Sequence, residues 1–143
     1  MRPESVPETV TRRGTRIRLA VGVWGVLVSQ VLLYPGVEDI VVTLGGDATV
    51  DAGMWFLVAE FAAFVAFASV WGAASDALGR RMSLATAGAF GGAAGYLALA
   101  AAPGLGLPFA GILVIRVVGG AATIGAFSLS ITALADLAGG THV

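Results

Sequence analysis

Cysteine and lysine are both absent from the 143 residues, and the single histidine, His142, stands next to the end of the chain. Without cysteine there is no disulfide framework and no thiolate metal site. Without lysine there is no phosphate-binding lysine of the P-loop kind. His142 has no evident partner for acid–base or metal chemistry. Charge is also scarce, at 12% of residues, where a soluble domain carries about 25%. A net charge of -1 leaves no basic surface for nucleic acid. The glycines of Gly88-Ala-Phe-Gly91-Gly92-Ala-Ala-Gly95 lack the order of a dinucleotide fingerprint and follow no strand pattern. The residues form no catalytic constellation, so neither an enzyme nor a cofactor is expected.

Apolar sequence takes the place of all this. Hydrophobic residues make up 57% of the chain, and mean hydropathy is +0.91. A membrane-spanning helix needs about 20 mostly apolar residues, and four stretches qualify. They run from about Leu19 through Tyr34 and a little past Pro35, from Gly53 to Ser75, from Met82 to Ala102, and from near Pro108 to Leu137. The expected fold is therefore an all-α integral membrane protein with four transmembrane helices. Residues 1–17 read as a cytoplasmic, mostly flexible tail, and 18–143 as the membrane unit. Thr11-Arg12-Arg13 resembles a twin-arginine export signal, but Gly14-Thr15-Arg16 does not supply the usual hydrophobic pair. The first apolar run is read as a retained helix. In the third stretch, Gly88-x-x-x-Gly92 and Gly91-x-x-x-Gly95 place small residues on one face, which permits close helix packing without naming the partner.

Arginines give the orientation. Arg2, Arg12, Arg13, Arg16 and Arg18 precede the first stretch, and Arg80 and Arg81 lie between the second and third. The expected loop from Gly36 to Ala52 carries Glu38, Asp39, Asp47 and Asp51 and no base, and the expected loop from Pro103 to Leu107 carries no charge. Basic residues collect on the cytoplasmic side. Both ends of the chain and the Arg80 loop are thus expected in the cytoplasm, with the protein in the cell membrane.

Ionisable side chains inside a span are costly and are functional candidates by default. Two qualify, Glu60 and Arg116. Each lies about 10 Å below the outer surface at a helical rise of about 1.5 Å per residue, so the opposite charges can pair. Gln30, in the outer half of the first span, falls in the same layer. The expectation is an internal polar site of Gln30, Glu60 and Arg116. Arg116, Gly120, Thr123, Phe127 and Ser130 form a small and polar stripe suited to a water-accessible cavity. Blander readings stand beside this one. Glu60 reads equally well as an interfacial side chain reaching for water; for Arg116 a pin on neighbouring carbonyls is the alternative, with the functional reading favoured because its helix carries the stripe. The stripe Glu60, Phe64, Phe67 and Trp71 serves as readily for packing or lipid contact.

Between the second and third spans lies Gly72-Ala-Ala-Ser-Asp76-Ala-Leu-Gly79-Arg80-Arg81. Asp76 precedes Arg80 by four residues, a spacing at which side chains meet on a helix. Asp136, at the end of the fourth span, completes an expected Asp–Arg–Asp cluster. As a solvated ion pair such a cluster is worth little; its value would lie in holding one conformation and releasing it in another.

This segment resembles the major facilitator superfamily signature G-x-x-x-D-(R/K)-x-G-R-(R/K), matching five of its six specified positions, with Ala77 where a base is usual. Arg116-x-x-Gly119-Gly120 similarly resembles the R-x-x-Q-G motif of proton-coupled members, with Gly119 in place of glutamine. Leu33-Tyr34-Pro35-Gly36 and Ala135-Asp136 resemble the corresponding regions of drug and tetracycline efflux carriers. The resemblance covers roughly residues 20–140 and implies the N-terminal part of a twelve-helix major facilitator fold working by alternating access. It also implies transport of a small molecule, with proton-coupled efflux by an antiporter as the expected activity. Gln30, Glu60, Arg116, Gly120 and Thr123 would then lie on the substrate or proton pathway, and Gly72, Asp76, Gly79, Arg80, Arg81 and Asp136 in the cytoplasmic gate. The partners expected are the lipid bilayer, the substrate, protons and the C-terminal helices of the same carrier, without which the chain is expected to be inactive. Two alternatives remain. One is a complete four-helix dimeric multidrug transporter, although the first span lacks the embedded acid such proteins use. The other is a non-transporting membrane subunit.

Overall fold

The computed structural model describes residues 8–47 and 49–139, and every regular element among them is helical. Helix α1 spans Glu8–Leu33, a 3-10 turn covers Tyr34–Gly36, and α2 spans Val37–Thr43. Then follow α3 (Val50–Leu78), α4 (Arg81–Leu105) and α5 (Phe109–Gly139). Four helices are long and apolar enough to cross a membrane, the first being the joined run of α1, the 3-10 turn and α2. They succeed one another in an up-and-down bundle. The helix order places Arg13, Arg16, Arg18, Arg80 and Arg81 at one end and the acidic Glu38–Asp51 region at the other.

The helix boundaries depart from the sequence reading in three places. Residues 8–17 belong to α1 rather than to a flexible tail; residues 1–7 of that tail lie outside the described residues. Val37–Thr43, expected in a loop, is helical. Pro35 sits in the first turn of the 3-10 segment, where its missing N–H costs nothing. Glu38 and Asp39 occupy the first turn of α2, where carboxylates favour the helix dipole. Charges that resemble a loop are helix-start residues. Thirdly, α4 runs past Pro103 to Leu105 and stops at Gly106, whose φ of 60° is left-handed.

Local chemistry explains the other ends. Thr49 caps α3 by accepting a hydrogen bond from the Ala52 N–H at 3.2 Å. At the far end Gly79 adopts φ 60° and returns its N–H to the Ser75 carbonyl at 2.9 Å. At the acidic end α2 folds over α3, and Val41, Leu44, Ala52, Phe56, Ala102 and Ile112 form an apolar cluster.

Helix α5 is the most buried span and α1 the least. The glycine face of α4 packs on α5. A β-carbon on Gly88 would lie 2.6 Å from the Ala126 nitrogen and 2.7 Å from the Ala122 oxygen, and one on Gly95 would lie 2.8 Å from the Gly119 α-carbon. No side chain fits between these backbones, so the small-residue spacing has α5 as its partner. On the other flank Trp71 donates its indole N–H to the Ala121 carbonyl at 2.6 Å. Its ring lies over Gly125, so Trp71 is a packing residue of the α3–α5 contact.

Candidate functional site

One side chain from each span meets in a single polar network. Arg116 on α5 forms a salt bridge with Glu60 on α3, and each side chain is 2% exposed. The Arg116 Nε–H also points at the Phe56 carbonyl, 3.5 Å away. Its guanidinium lies 4.3 Å from the centre of the Phe56 ring, a cation–π distance. Phe56 precedes Glu60 by one helical turn, so a single face of α3 supplies carboxylate, carbonyl and ring. Gln30 on α1 donates from Nε2 to Glu60 Oε1 at 3.3 Å and to the Tyr96 hydroxyl oxygen at 3.2 Å. Tyr96, from α4, completes the four.

Burial of a lone charge is prohibitive, whereas a paired and hydrogen-bonded one is tolerated. Each Glu60 oxygen has a partner here, and the guanidinium has three. The structure thus brings together Gln30, Glu60 and Arg116. Sequence reasoning does not pick out Tyr96 or Phe56. The signal for Tyr96 is its type: a tyrosine among alanines and glycines has a hydroxyl that needs a partner when buried.

Gly120 and Thr123 are placed differently. A β-carbon on Gly120 would come within 3.0 Å of Glu60 Cγ and 3.1 Å of its carbonyl, so Gly120 is the gap that lets α5 lie against Glu60. Thr123 is buried, and its hydroxyl donates to the Gly119 carbonyl at 2.9 Å. It lines a second groove of about 250 Å³ with Leu19, Ala85 and Ser130. The stripe from Arg116 to Ser130 therefore does not face one cavity.

The network borders a groove of about 330 Å³ toward the acidic end, lined by Leu33, Ile40, Leu44 and Phe56 with Tyr96 and Arg116 at its polar side. Its walls are mainly apolar with few polar groups, as in small-molecule sites.

At the basic end Arg81, not Arg80, is the centre of the acid–base cluster. It contacts Asp76 at 3.5 Å and forms a salt bridge with Asp136, and its Nε–H points at the Ser75 hydroxyl at 3.4 Å. The four-residue rule fails for Arg80 because the left-handed Gly79 ends α3 before the turn is complete. Arg80 instead precedes the first residue of α4 and is exposed. Gly72 faces open space. Nearby, Arg16 of α1 donates to the Leu137 carbonyl in the last turns of α5, where a cation favours the helix dipole. Asp76 and Asp136 are 76% and 65% exposed. Asp76→Asn or Asp136→Ala is therefore expected to change stability by less than about 1 kcal/mol, as read by equilibrium unfolding in detergent. A larger loss would mean that the cluster holds the bundle together.

Metal-ligating clusters of histidine and carboxylate are absent among the described residues. No family model matches the chain, nor does any curated protein or solved structure.

Proposed function

We propose that the chain is the amino-terminal portion of a major facilitator-type carrier in the cell membrane, moving a small molecule by proton-linked efflux. Both termini and the Arg81 cluster face the cytoplasm in this reading, and the carrier's later helices complete the transport unit. The observation that carries the proposal is the Gln30–Glu60–Tyr96–Arg116 network, a charged pair buried beside an open groove. A carboxyl group paired with an arginine can gain and lose a proton while the guanidinium keeps its charge in place. The segregation of arginine to one end supports the topology. The Arg81 cluster, weak and solvated, suits a contact that must break during each cycle.

The test is proton movement. In pyranine-loaded proteoliposomes holding the complete carrier, with valinomycin and potassium to collapse membrane potential, an imposed pH gradient is expected to decay faster with the unsubstituted carrier than with its Glu60→Gln variant. The expected difference is about tenfold or more, in line with losing one proton-transfer group. Equal decay in the two preparations and in protein-free liposomes would contradict proton linkage and favour a non-transporting membrane subunit.

A further inference from the structure

We infer that the cleft between α1 and α4 seats an anionic phospholipid, with one acyl chain lying against α5 and the phosphate held by Arg18 and Arg80. The inference requires only that the four long helices cross a membrane, and it is independent of any transport activity.

Helices α1 and α4 both pack on α5 but scarcely on each other. The space left between them is the groove of about 250 Å³ that holds Thr123. Its wall runs from Leu19 to Val26 on α1 and from Met82 to Ala89 on α4. Each wall is about 10 Å long at a helical rise of about 1.5 Å per residue. The hydrocarbon of one leaflet is about 15 Å deep, half of the bilayer core. The cleft therefore starts at the basic end and stops within the near leaflet. A further membrane-spanning helix needs a seat of about 30 Å, whereas an acyl chain occupies one leaflet only.

The walls suit a hydrocarbon chain. They carry no charged side chain, and the hydroxyls of Thr86 and Thr123 donate to the Met82 and Gly119 carbonyls of their own helices. Gly22 lines the cleft with nothing within 4 Å of where its β-carbon would stand, so no other side chain fills the room there. Charge lies at the mouth. Arg18 directly precedes Leu19, and Arg80 stands two residues before Met82. Both are exposed, and neither has an ion-pair or hydrogen-bond partner among the described residues. By contrast Arg16 is bound to the Leu137 carbonyl, and Arg81 engages Asp76 and Asp136. Free guanidinium groups match a phosphate, and basic pockets between spans take anionic headgroups.

The test offers the chain, in detergent, equimolar phosphatidylglycerol and phosphatidylcholine with the same acyl chains, and native mass spectrometry counts the lipids retained. Phosphatidylglycerol is expected to be preferred by about tenfold or more. Arg18→Gln and Arg80→Gln are each expected to lower that preference about fivefold, and Arg13→Gln, further along α1 from the cleft, by less than about twofold. Gly22→Leu fills the cleft and is expected to reduce retention of both lipids. Helicity by circular dichroism is expected to hold, since leucine is a better helix former than glycine. Gly25→Leu, equally free of neighbours but off the cleft, is expected to change nothing. Equal retention of the two lipids by the unsubstituted chain would overturn the site. Equal effects of the three arginines would also overturn it, by assigning the preference to diffuse surface charge. Retention that survives Gly22→Leu would do the same by placing the lipid elsewhere. A lipid-free dimer that Gly22→Leu dissociates would likewise overturn it and give the cleft to a second copy of the chain.

Discussion

Replacing Arg116 by leucine is expected to destabilise the bundle by about 3–5 kcal/mol, because it strands a buried carboxylate. Glu60 is 2% exposed, so no water takes over the lost interaction. Only the neutral donors of Gln30 and Tyr96 remain to it. Glu60→Leu strands the guanidinium instead, with only the Phe56 carbonyl and ring for company, and the expected loss is similar. Joining Glu60→Leu to Arg116→Leu removes both charges together, and a well-packed apolar pair is often neutral or stabilising relative to a buried ion pair. The double variant is therefore expected to recover most of the stability lost by either single one. An SDS titration followed by circular dichroism, arranged as a double-mutant cycle, measures the coupling. Additive losses would show that the two side chains do not act as a pair.

Gly88→Ala is expected to be a strongly damaging one-carbon change. Its new β-carbon would sit 2.6 Å from a backbone nitrogen and 2.7 Å from a backbone oxygen of α5. Neither can rotate aside, as a side chain could, so the helices must separate. Overpacking of this kind costs about 1–3 kcal/mol, and separation also loosens Gly92 and Gly95 along the same face. Gly104→Ala provides the contrast. It lies on the same helix with nothing within 4 Å, and alanine there is expected to be neutral or stabilising by up to about 1 kcal/mol. Unfolding midpoints that fall for Gly88→Ala and hold for Gly104→Ala would support the α4–α5 contact. Equal shifts would contradict it.

Much of this is readable in the sequence because lipid-crossing helices leave a coarse signal. Four apolar runs of the right length correspond to four long helices, and the layer holding Gln30, Glu60 and Arg116 follows from counting residues at a constant rise. Depth along a helix is a one-dimensional quantity that sequence carries well. Facing direction is harder. Thr123 shares a helical stripe with Arg116, yet the bundle turns it into another groove against Gly92. Arg80 and Arg81 differ by one residue, and which of them reaches Asp76 and Asp136 depends on the left-handed Gly79 between the helices. Val37–Thr43 reads as loop because of Glu38 and Asp39, although both stabilise a helix start. Tyr96 escapes a sequence reading because its role depends on Gln30, 66 residues away along the chain.

The most direct test of the buried pair as a transport centre is proton flux in the Glu60→Leu/Arg116→Leu double variant of the complete carrier. Stability and function part company there: the protein is expected to insert and fold, since no charge is stranded. The pyranine-loaded vesicles are nevertheless expected to show gradient decay no faster than protein-free liposomes. A folded double variant that dissipates the gradient at the wild-type rate would contradict the account and leave the pair as a structural pin between α3 and α5.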